Sequence, residues 1–256
     1  MEPLYFGRAE RRLYGVYHPP SQPSRRAAVL LCYPSVQEYM RAHWAFRRLG
    51  GMLAREGFPV LRFDYYGTGD SAGDYREATI DLWCSNIREA ATELQELADV
   101  REISMIGLQL GATLAAQAVA RGQAVRDLVL WEPAAEGRAH IRDLRSLEKL
   151  KYEIVRQGPR IQARELLGYE FPPEVAADLA RAAFPQVTCL PTERILIFAA
   201  KARPAHSVVI ERLRDRAGRA PEVHIVPEEA ESGAHAALLA TRVMHAMTAA
   251  LAGASV

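Results

Sequence analysis

The chain of 256 residues carries 32 Lys and Arg against 31 Asp and Glu, so its formal net charge is only +1. A protein that binds nucleic acid mainly through phosphate contacts needs a basic surplus, which this sequence lacks. Hydrophobic residues make up 49% and charged residues 25%, values typical of a globular domain. No apolar run is long enough to predict a membrane span, and the first residues do not resemble a secretion signal. We therefore expect a cytoplasmic protein that binds neither nucleic acid nor a membrane.

The chain begins with two strand-like segments within residues 3–18, which predict an edge hairpin. After a proline-rich loop, apolar runs alternate with helical patterns. The predicted strands are 27–33, 59–66, 102–108, 127–133, 194–200 and 222–227, and the predicted helices are 43–57, 78–98, a segment after 108, and 234–252. This alternation is typical of βαβ units, and strands that are apolar throughout indicate a mainly parallel sheet buried on both faces.

One segment, residues 134–192, interrupts this alternation. It has helical patterns, two proline breaks and no predicted strand. An insertion that follows a sheet strand is a common position for a lid, and its apolar side chains would pack on the sheet and line part of a pocket. We therefore predict a core formed by residues 1–133 and 193–256, and a helical lid at 134–192.

The most informative segment is a short turn framed by glycines. Gly107-Leu108-Gln109-Leu110-Gly111 connects a predicted strand to an alanine-rich helix. A glycine two residues before and another two residues after the central position allow the sharp strand-to-helix turn called the nucleophile elbow, which has the pattern G-x-S-x-G. Here the central residue is Gln109. A carboxamide donates and accepts hydrogen bonds but is no nucleophile at neutral pH.

On this turn and its flanking segments, the sequence resembles the α/β-hydrolase superfamily, in its serine-aminopeptidase-like (S33) branch. Residues 33–74 are similar to the first half of that branch, and 128–144 to the strand that follows the elbow. GLQLGATLA at 107–115 resembles the GLRLGA-type elbow of a subgroup that includes exosortase-A-associated hydrolases. The resemblance implies a mainly parallel central sheet flanked by helices, with a helical lid, and a Ser–acid–His triad in that chain order. Fold alone does not fix the reaction.

The sequence departs from the implied triad at two positions. Gln109 replaces the serine, and no carboxylate lies between Arg194 and Glu211, where the family usually has its acid. His235 lies between the last strand and the last helix, where the family has its histidine. Some members carry the acid one strand earlier, which here corresponds to Glu132. A Glu132–His235 pair would orient the imidazole and raise its basicity. Alternatively, Glu132 packs beside the lid and His235 only begins a helix.

The segment after the first central strand corresponds to the oxyanion-hole segment of the family. The backbone N–H groups of Leu110 and Ser35 are the candidate donors, and Tyr33 borders the same segment. The alternative is a plain loop turn set by Pro34. In the following loop, Glu38 is a candidate substrate-facing acid, although a helix N-cap is the more ordinary role for such a residue.

The remaining motifs predict neither a cofactor nor a metal. The loop at 64–71 contains G-x-G but no third glycine at dinucleotide spacing, so a structural turn is the better interpretation. The three widely spaced cysteines include no CxxC pair, which fits a reducing compartment. The spacings among His18, His140, His206, His224 and His245 do not match the HxxxH or HExxH patterns of a metal site.

These observations predict an enzyme without a serine nucleophile. It would act by proton transfer, such as isomerisation, epimerisation, cyclisation or elimination, on a small acyl or peptidyl compound. One alternative is an ester or thioester hydrolase whose water is activated by His235. The other is a non-catalytic protein that binds a ligand or a partner. The sequence does not predict the oligomeric state.

Overall fold

The structure, a computed structural model, describes residues 1–154, 164–185, 189–227 and 241–253. Eight strands form one sheet: β1 (Glu2–Phe6), β2 (Leu13–His18), β3 (Ala27–Cys32), β4 (Val60–Phe63), β5 (Glu102–Leu108), β6 (Val125–Trp131), β9 (Thr192–Ala199) and β10 (Glu222–Ile225). Two shorter strands, β7 (Glu165–Leu166) and β8 (Tyr169–Glu170), pair with each other. The helices are α1 (Val36–Arg55), α2 (Ile80–Ala98), α3 (Leu110–Ala120), α4 (Gly137–Ile154), α5 (Pro173–Leu179), α6 (Pro204–Arg212) and α7 (Thr241–Ala252).

The large sheet has the strand order β1-β2-β4-β3-β5-β6-β9-β10. β1 pairs antiparallel with β2, and β2 pairs antiparallel with β4, whereas the pairs from β4 to β10 are parallel. The predicted hairpin at residues 3–18 is therefore present, with β1 at the edge. All six residues of β3 are buried, as expected for a strand covered on both faces. The predicted mainly parallel sheet flanked by helices is confirmed.

Helix α1 begins at Val36, well before the predicted start at residue 43. Ser35 holds the N-cap position in an extended conformation, and Glu38 lies in the first turn. Ser-x-x-Glu is a common signature of a helix start, and the prediction overlooked it. The early start carries Glu38 close to the end of β3. At the other end of the chain, the predicted start of the last helix falls within 228–240, outside the described residues, and α7 is described from Thr241.

The G-x-G loop after β4 is a structural turn. The Asp64 carboxylate accepts a hydrogen bond from the Tyr39 hydroxyl at 2.6 Å and another from the backbone N–H of Asp70 at 3.0 Å. Gly69 has φ +53°, and a Cβ there would lie 2.1 Å from an Asp64 carboxylate oxygen. The loop can therefore close around the carboxylate only with glycine at this position.

The inserted segment (134–192) contains a hairpin that the sequence prediction missed. β7 and β8 pair antiparallel, and the two residues between them, Leu167 and Gly168, have φ +55° and +87°. Two positive φ values are typical of the tight turns that join antiparallel strands. The prediction of no strand here was wrong because strands of two residues leave no periodic pattern. Among the described helices, none combines the length and the apolar character needed to cross a bilayer.

Candidate functional site

A single residue, Gln109, joins β5 to α3. Its backbone has φ +50° and ψ −113°, a conformation that residues with a side chain rarely adopt. Three hydrogen bonds hold it: its N–H donates to the Trp131 carbonyl at 2.9 Å, and its carbonyl accepts from the N–H groups of Ala112 and Ala134 at 3.1 and 3.3 Å. Strain of this kind persists only where the surroundings impose it, which is common at functional sites.

The two glycines that frame this turn allow α3 to approach the strands. A Cβ on Gly107 would lie 2.5 Å from the Ala112 Cα. A Cβ on Gly111 would lie 2.3 Å from the Tyr33 carbonyl oxygen and 2.4 Å from that of Cys32. All three distances are far below van der Waals contact, and the atoms concerned belong to the backbone, which cannot move aside. The predicted sharp strand-to-helix turn is therefore present, and it depends on both glycines.

A cavity of about 580 Å³ opens beside this turn. The end of β6, the first half of α4 and the loop between β9 and α6 form its other walls. Three residues predicted for the site, Gln109, Glu132 and Glu38, all line it. The other lining residues are Pro133, Ala134, Ala135, Glu136, Ala139, His140, Asp143, Leu144, Leu147, Lys201, Arg203, Pro204 and Ala205.

Glu132 follows β6 directly and has φ +44°. One of its carboxylate oxygens accepts a hydrogen bond from the Ala200 backbone N–H at 2.7 Å, and the other lies 3.4 Å from Nε of Arg203. The carboxylate thus sits at the end of the sheet, in contact with the β9–α6 loop. Its predicted partner, His235, lies outside the described residues.

A different imidazole, that of His206, lies close enough to Glu132 for an electrostatic interaction. Burial lowers the pKa of His206, the Glu132 carboxylate opposes this, and the charge of Arg203 adds to the lowering. His206 Nδ1 accepts a hydrogen bond from the Arg203 backbone N–H at 3.3 Å. The ring is therefore held at the start of α6, and it does not line the cavity.

The predicted oxyanion segment is divided between two environments. Ser35 and Leu110 border a second, narrower space next to the main cavity, which is too tight to admit a water molecule. Leu110 opens α3, so its N–H belongs to the first helical turn and has no carbonyl partner within the helix. The Tyr33 ring, in contrast, packs in the core, 4.7 Å from the ring of Phe46. The Tyr33 side chain is therefore buried in the core and does not line the cavity.

The reason for the Tyr33 orientation is a buried arginine on β4. Arg62, 7% exposed, donates a hydrogen bond from Nη1 to the Tyr33 hydroxyl at 3.2 Å. It also donates from Nε to His18 Nε2, again at 3.2 Å. A buried guanidinium needs such acceptors, because an unpaired buried donor costs free energy. Tyr33 and His18 therefore support the sheet.

The cavity also contains an imidazole–carboxylate pair that the sequence prediction did not identify. His140 Nε2 on α4 lies 2.9 Å from Glu38 Oε2 on α1. The Ser35 hydroxyl donates a hydrogen bond to the same Glu38 oxygen at 3.2 Å. The side chains of His140 and Glu38 are 8% and 14% exposed. Glu38 lies in the first turn of α1 and lines the cavity. Ser35 occupies the N-cap position of the same helix.

The β9–α6 loop gives the cavity a basic wall. Lys201 and Arg203 line it where the resemblance implied an acid, and Arg203 faces Glu132. Glu136, another residue that lines the cavity, is paired with Arg212 of α6 at 3.1 Å. Within the described part of the chain, no three His, Cys, Asp or Glu side chains gather closely enough to hold a metal ion. The described groups are suited to acid–base chemistry and hydrogen bonding.

Comparison with known proteins agrees with this architecture. A family model described as serine aminopeptidase, S33, matches residues 26–171, which is more than half of the chain. The chain belongs to the S33 serine aminopeptidase family. Among curated proteins, none matches this S33 sequence significantly.

Solved structures show the same fold over nearly the whole S33 chain. A putative hydrolase from Agrobacterium vitis S4 is 17% identical with a TM-score of 0.65, and the match covers 98% of this chain and 97% of the other. Est1E from Butyrivibrio proteoclasticus, solved with ferulic acid, is 20% identical with a TM-score of 0.64, covering 97% and 99%. A proline iminopeptidase-related protein from Thermus thermophilus is 20% identical with a TM-score of 0.61, covering 98% and 97%. These likenesses establish the α/β-hydrolase fold and no particular reaction.

Proposed function

We propose that this S33 family member is an atypical enzyme that performs non-covalent acid–base chemistry on a small acyl or peptidyl compound. The observation that carries the proposal is the position of Gln109. It occupies the strained turn between β5 and α3, it lines the cavity, and its side chain has no nucleophilic atom. We infer that Gln109 stands where relatives with a serine have their nucleophile. We also infer that this turn is similar to the elbow of exosortase-A-associated hydrolases.

Proton transfer is the chemistry that such a site retains. The carboxamide of Gln109 can donate a hydrogen bond to a substrate carbonyl, and the Leu110 N–H at the start of α3 can donate a second. Two donors on one oxygen stabilise the negative charge that develops when a base removes a proton from the neighbouring carbon. The products are those of isomerisation, epimerisation, cyclisation or elimination. The predicted base is His235, oriented by Glu132.

The substrate class follows from the size and lining of the cavity. A volume of about 580 Å³ suits a small molecule rather than a macromolecule. Leu144 and Leu147 on α4, with the alanines after β6, provide an apolar wall for an acyl group or side chain. Residues 134–192 serve as the lid in this proposal, because α4 closes one side of the cavity. We expect neither a nucleic-acid partner nor a membrane partner.

Hydrogen–deuterium exchange tests the proposal without knowledge of the product. A panel of acyl thioesters and N-acylated amino acid esters is incubated with the protein in D₂O, and deuterium at the carbon next to the carbonyl is measured by mass spectrometry. We expect enzyme-dependent incorporation for at least one class, unchanged in His245→Gln, a control on the exposed part of α7. No acyl or fluorophosphonate adduct should form on the protein.

Three results would contradict the proposal. An acyl adduct on a cavity side chain would show covalent catalysis. Enzyme-dependent release of the free acid, with ¹⁸O taken from water and no deuterium exchange, would show a hydrolase that activates water directly. A ligand that raises the thermal midpoint without being converted would show a binding protein instead of an enzyme.

A further inference from the structure

We propose that His140 is the general base of this cavity and that Glu38 is its positioning residue. The inference rests on the proposed function, because it names the group that moves the proton. It differs from the predicted Glu132–His235 pair in both members. It places the base on the inserted segment, where the triad pattern implied by the resemblance has no residue.

The imidazole of His140 and the carboxylate of Glu38 lie within reach of each other. His140 Nε2 and Glu38 Oε2 are 2.9 Å apart, although the ring N–H does not point along that line closely enough for a good hydrogen bond. A small rotation of the ring would align them. Contacts of this kind often tighten only when substrate is bound. A carboxylate beside one imidazole nitrogen fixes the tautomer and leaves the other nitrogen as the proton acceptor.

The Glu38 carboxylate has a second contact. The Ser35 hydroxyl donates to Glu38 Oε2, the same oxygen that faces His140, so the carboxylate is held from the side of α1. Ser35 and Glu38 belong to the first turn of one helix, directly after β3. The orienting group is therefore anchored to the sheet. This is the role that the acid of a catalytic triad performs for its histidine.

Two other carboxylates on the cavity wall already have partners. Glu132 is bound to the Ala200 N–H and faces Arg203, and Glu136 is paired with Arg212. Of the described residues on the cavity wall, His140 is the only imidazole. It also borders the narrower space next to Leu110, one of the two oxyanion donors. The base and the donor thus lie on adjoining surfaces.

The step balances without any further reactant. The neutral Nδ1 of His140 takes a proton from the carbon next to the substrate carbonyl. The electron pair of that C–H bond forms a carbon–carbon double bond, and the π pair of the carbonyl moves onto its oxygen, giving an enolate whose oxygen is held by Gln109 and the Leu110 N–H. The imidazolium then returns the proton to a neighbouring carbon, giving isomerisation, or to the same carbon after the enolate has turned its other face toward the ring, giving epimerisation. Glu38 stabilises the imidazolium between the two transfers.

Deuterium exchange in a matched set of variants tests the assignment. His140→Gln should lower the exchange rate by about 10²- to 10⁴-fold, the range expected for loss of a general base. Glu38→Gln should lower it by up to about 10⁴-fold, because the imidazole loses its orienting carboxylate, and Glu38→Asp should recover part of the loss. His245→Gln and Glu174→Gln, exposed residues outside the cavity, should retain the wild-type rate. Circular dichroism confirms that each variant is folded.

A second measurement does not depend on substrate. Nitrogen-15 NMR of the labelled imidazoles should show neutral His140 as the Nε2–H tautomer in the wild type, and a loss of this preference in Glu38→Gln. A residue with only a structural role would show no such coupling. Predominance of the Nδ1–H tautomer in the wild type would overturn the inference, because the accepting nitrogen would then face Glu38.

The outcomes separate this inference from the proposed function. If His140→Gln exchanges at the wild-type rate while His235→Gln does not, the base is His235, and the inference fails while the proposed function stands. If the wild type catalyses no exchange but forms an acyl adduct, the proposed function fails, and His140 is then not its base. Loss of exchange in His140→Gln, with partial recovery in Glu38→Asp, supports both.

Discussion

Mild acid should destabilise the protein through His18. The ring is 2% exposed and accepts a hydrogen bond from the Arg62 guanidinium, so it is held in its neutral form. Burial, followed by the charge of Arg62, lowers the pKa of His18 from 6.5 to about 4. In the unfolded chain the ring protonates near its ordinary value, so between these two pH values the unfolded state binds more protons. The His18 contribution is complete above the unfolded pKa and is lost as pH falls toward the folded one. The difference between the unfolded and folded pKa values of His18 corresponds to about 3 kcal/mol in the free energy of unfolding.

Urea unfolding of the wild type and His18→Gln measures this contribution. The glutamine oxygen can still accept a hydrogen bond from Arg62, but it does not titrate. Between about pH 8 and about pH 5, the free energy of unfolding should fall by roughly 2 kcal/mol more in the wild type than in the variant. The comparison removes the contributions of other titrating groups, which both proteins share. Parallel pH profiles would refute the assignment of a neutral, buried imidazole at this position.

Two further predictions concern the elbow and the thiols. Gly111→Ala should lower the free energy of unfolding by about 3 kcal/mol or more, because its Cβ would overlap carbonyl oxygens at the end of β3. Gly51→Ala, within α1 where a Cβ has room, should instead raise it by about 0.5–1 kcal/mol, and equal effects in the two variants would contradict this packing. Cys189 is exposed and should react with Ellman's reagent in the folded protein. Cys32 and Cys84 should react only after unfolding, because burial blocks access and raises both thiol pKa values; early labelling of all three would contradict their burial.

The sheet and the elbow were predictable because their signals are local. Strand β3 is apolar in every position because both of its faces are covered, so its sequence alone marks it as a central strand. Gly107 and Gly111 are required by close backbone approaches, and their spacing can be recognised without knowledge of the packing. Apolar spacing alone does not mark the start of α1, although Ser35 and Glu38 carry a local signature of a helix start.

The imidazole–carboxylate pair could not be predicted, because it depends on packing between distant segments. Glu38 and His140 meet only when α4 lies across the end of the sheet. A histidine on an amphipathic helix has no sequence pattern that separates a site residue from a packed one. The orientation of Tyr33 likewise depends on Arg62, a residue on a neighbouring strand. The sequence therefore specifies the turn at Gln109, whereas the other walls of the cavity follow from tertiary contacts.

The shared Glu38 oxygen has a consequence for when the protein is reactive. Its hydroxyl donor, Ser35, lies next to the end of β3, whereas its imidazole partner, His140, belongs to α4 of the inserted segment. A shift of α4 by about one residue's rise, roughly 1.5 Å, would take Nε2 out of hydrogen-bonding range. The proposed base would then lose its orienting carboxylate. In the proposed mechanism, a substrate would meet an oriented imidazole only while α4 lies against the first turn of α1.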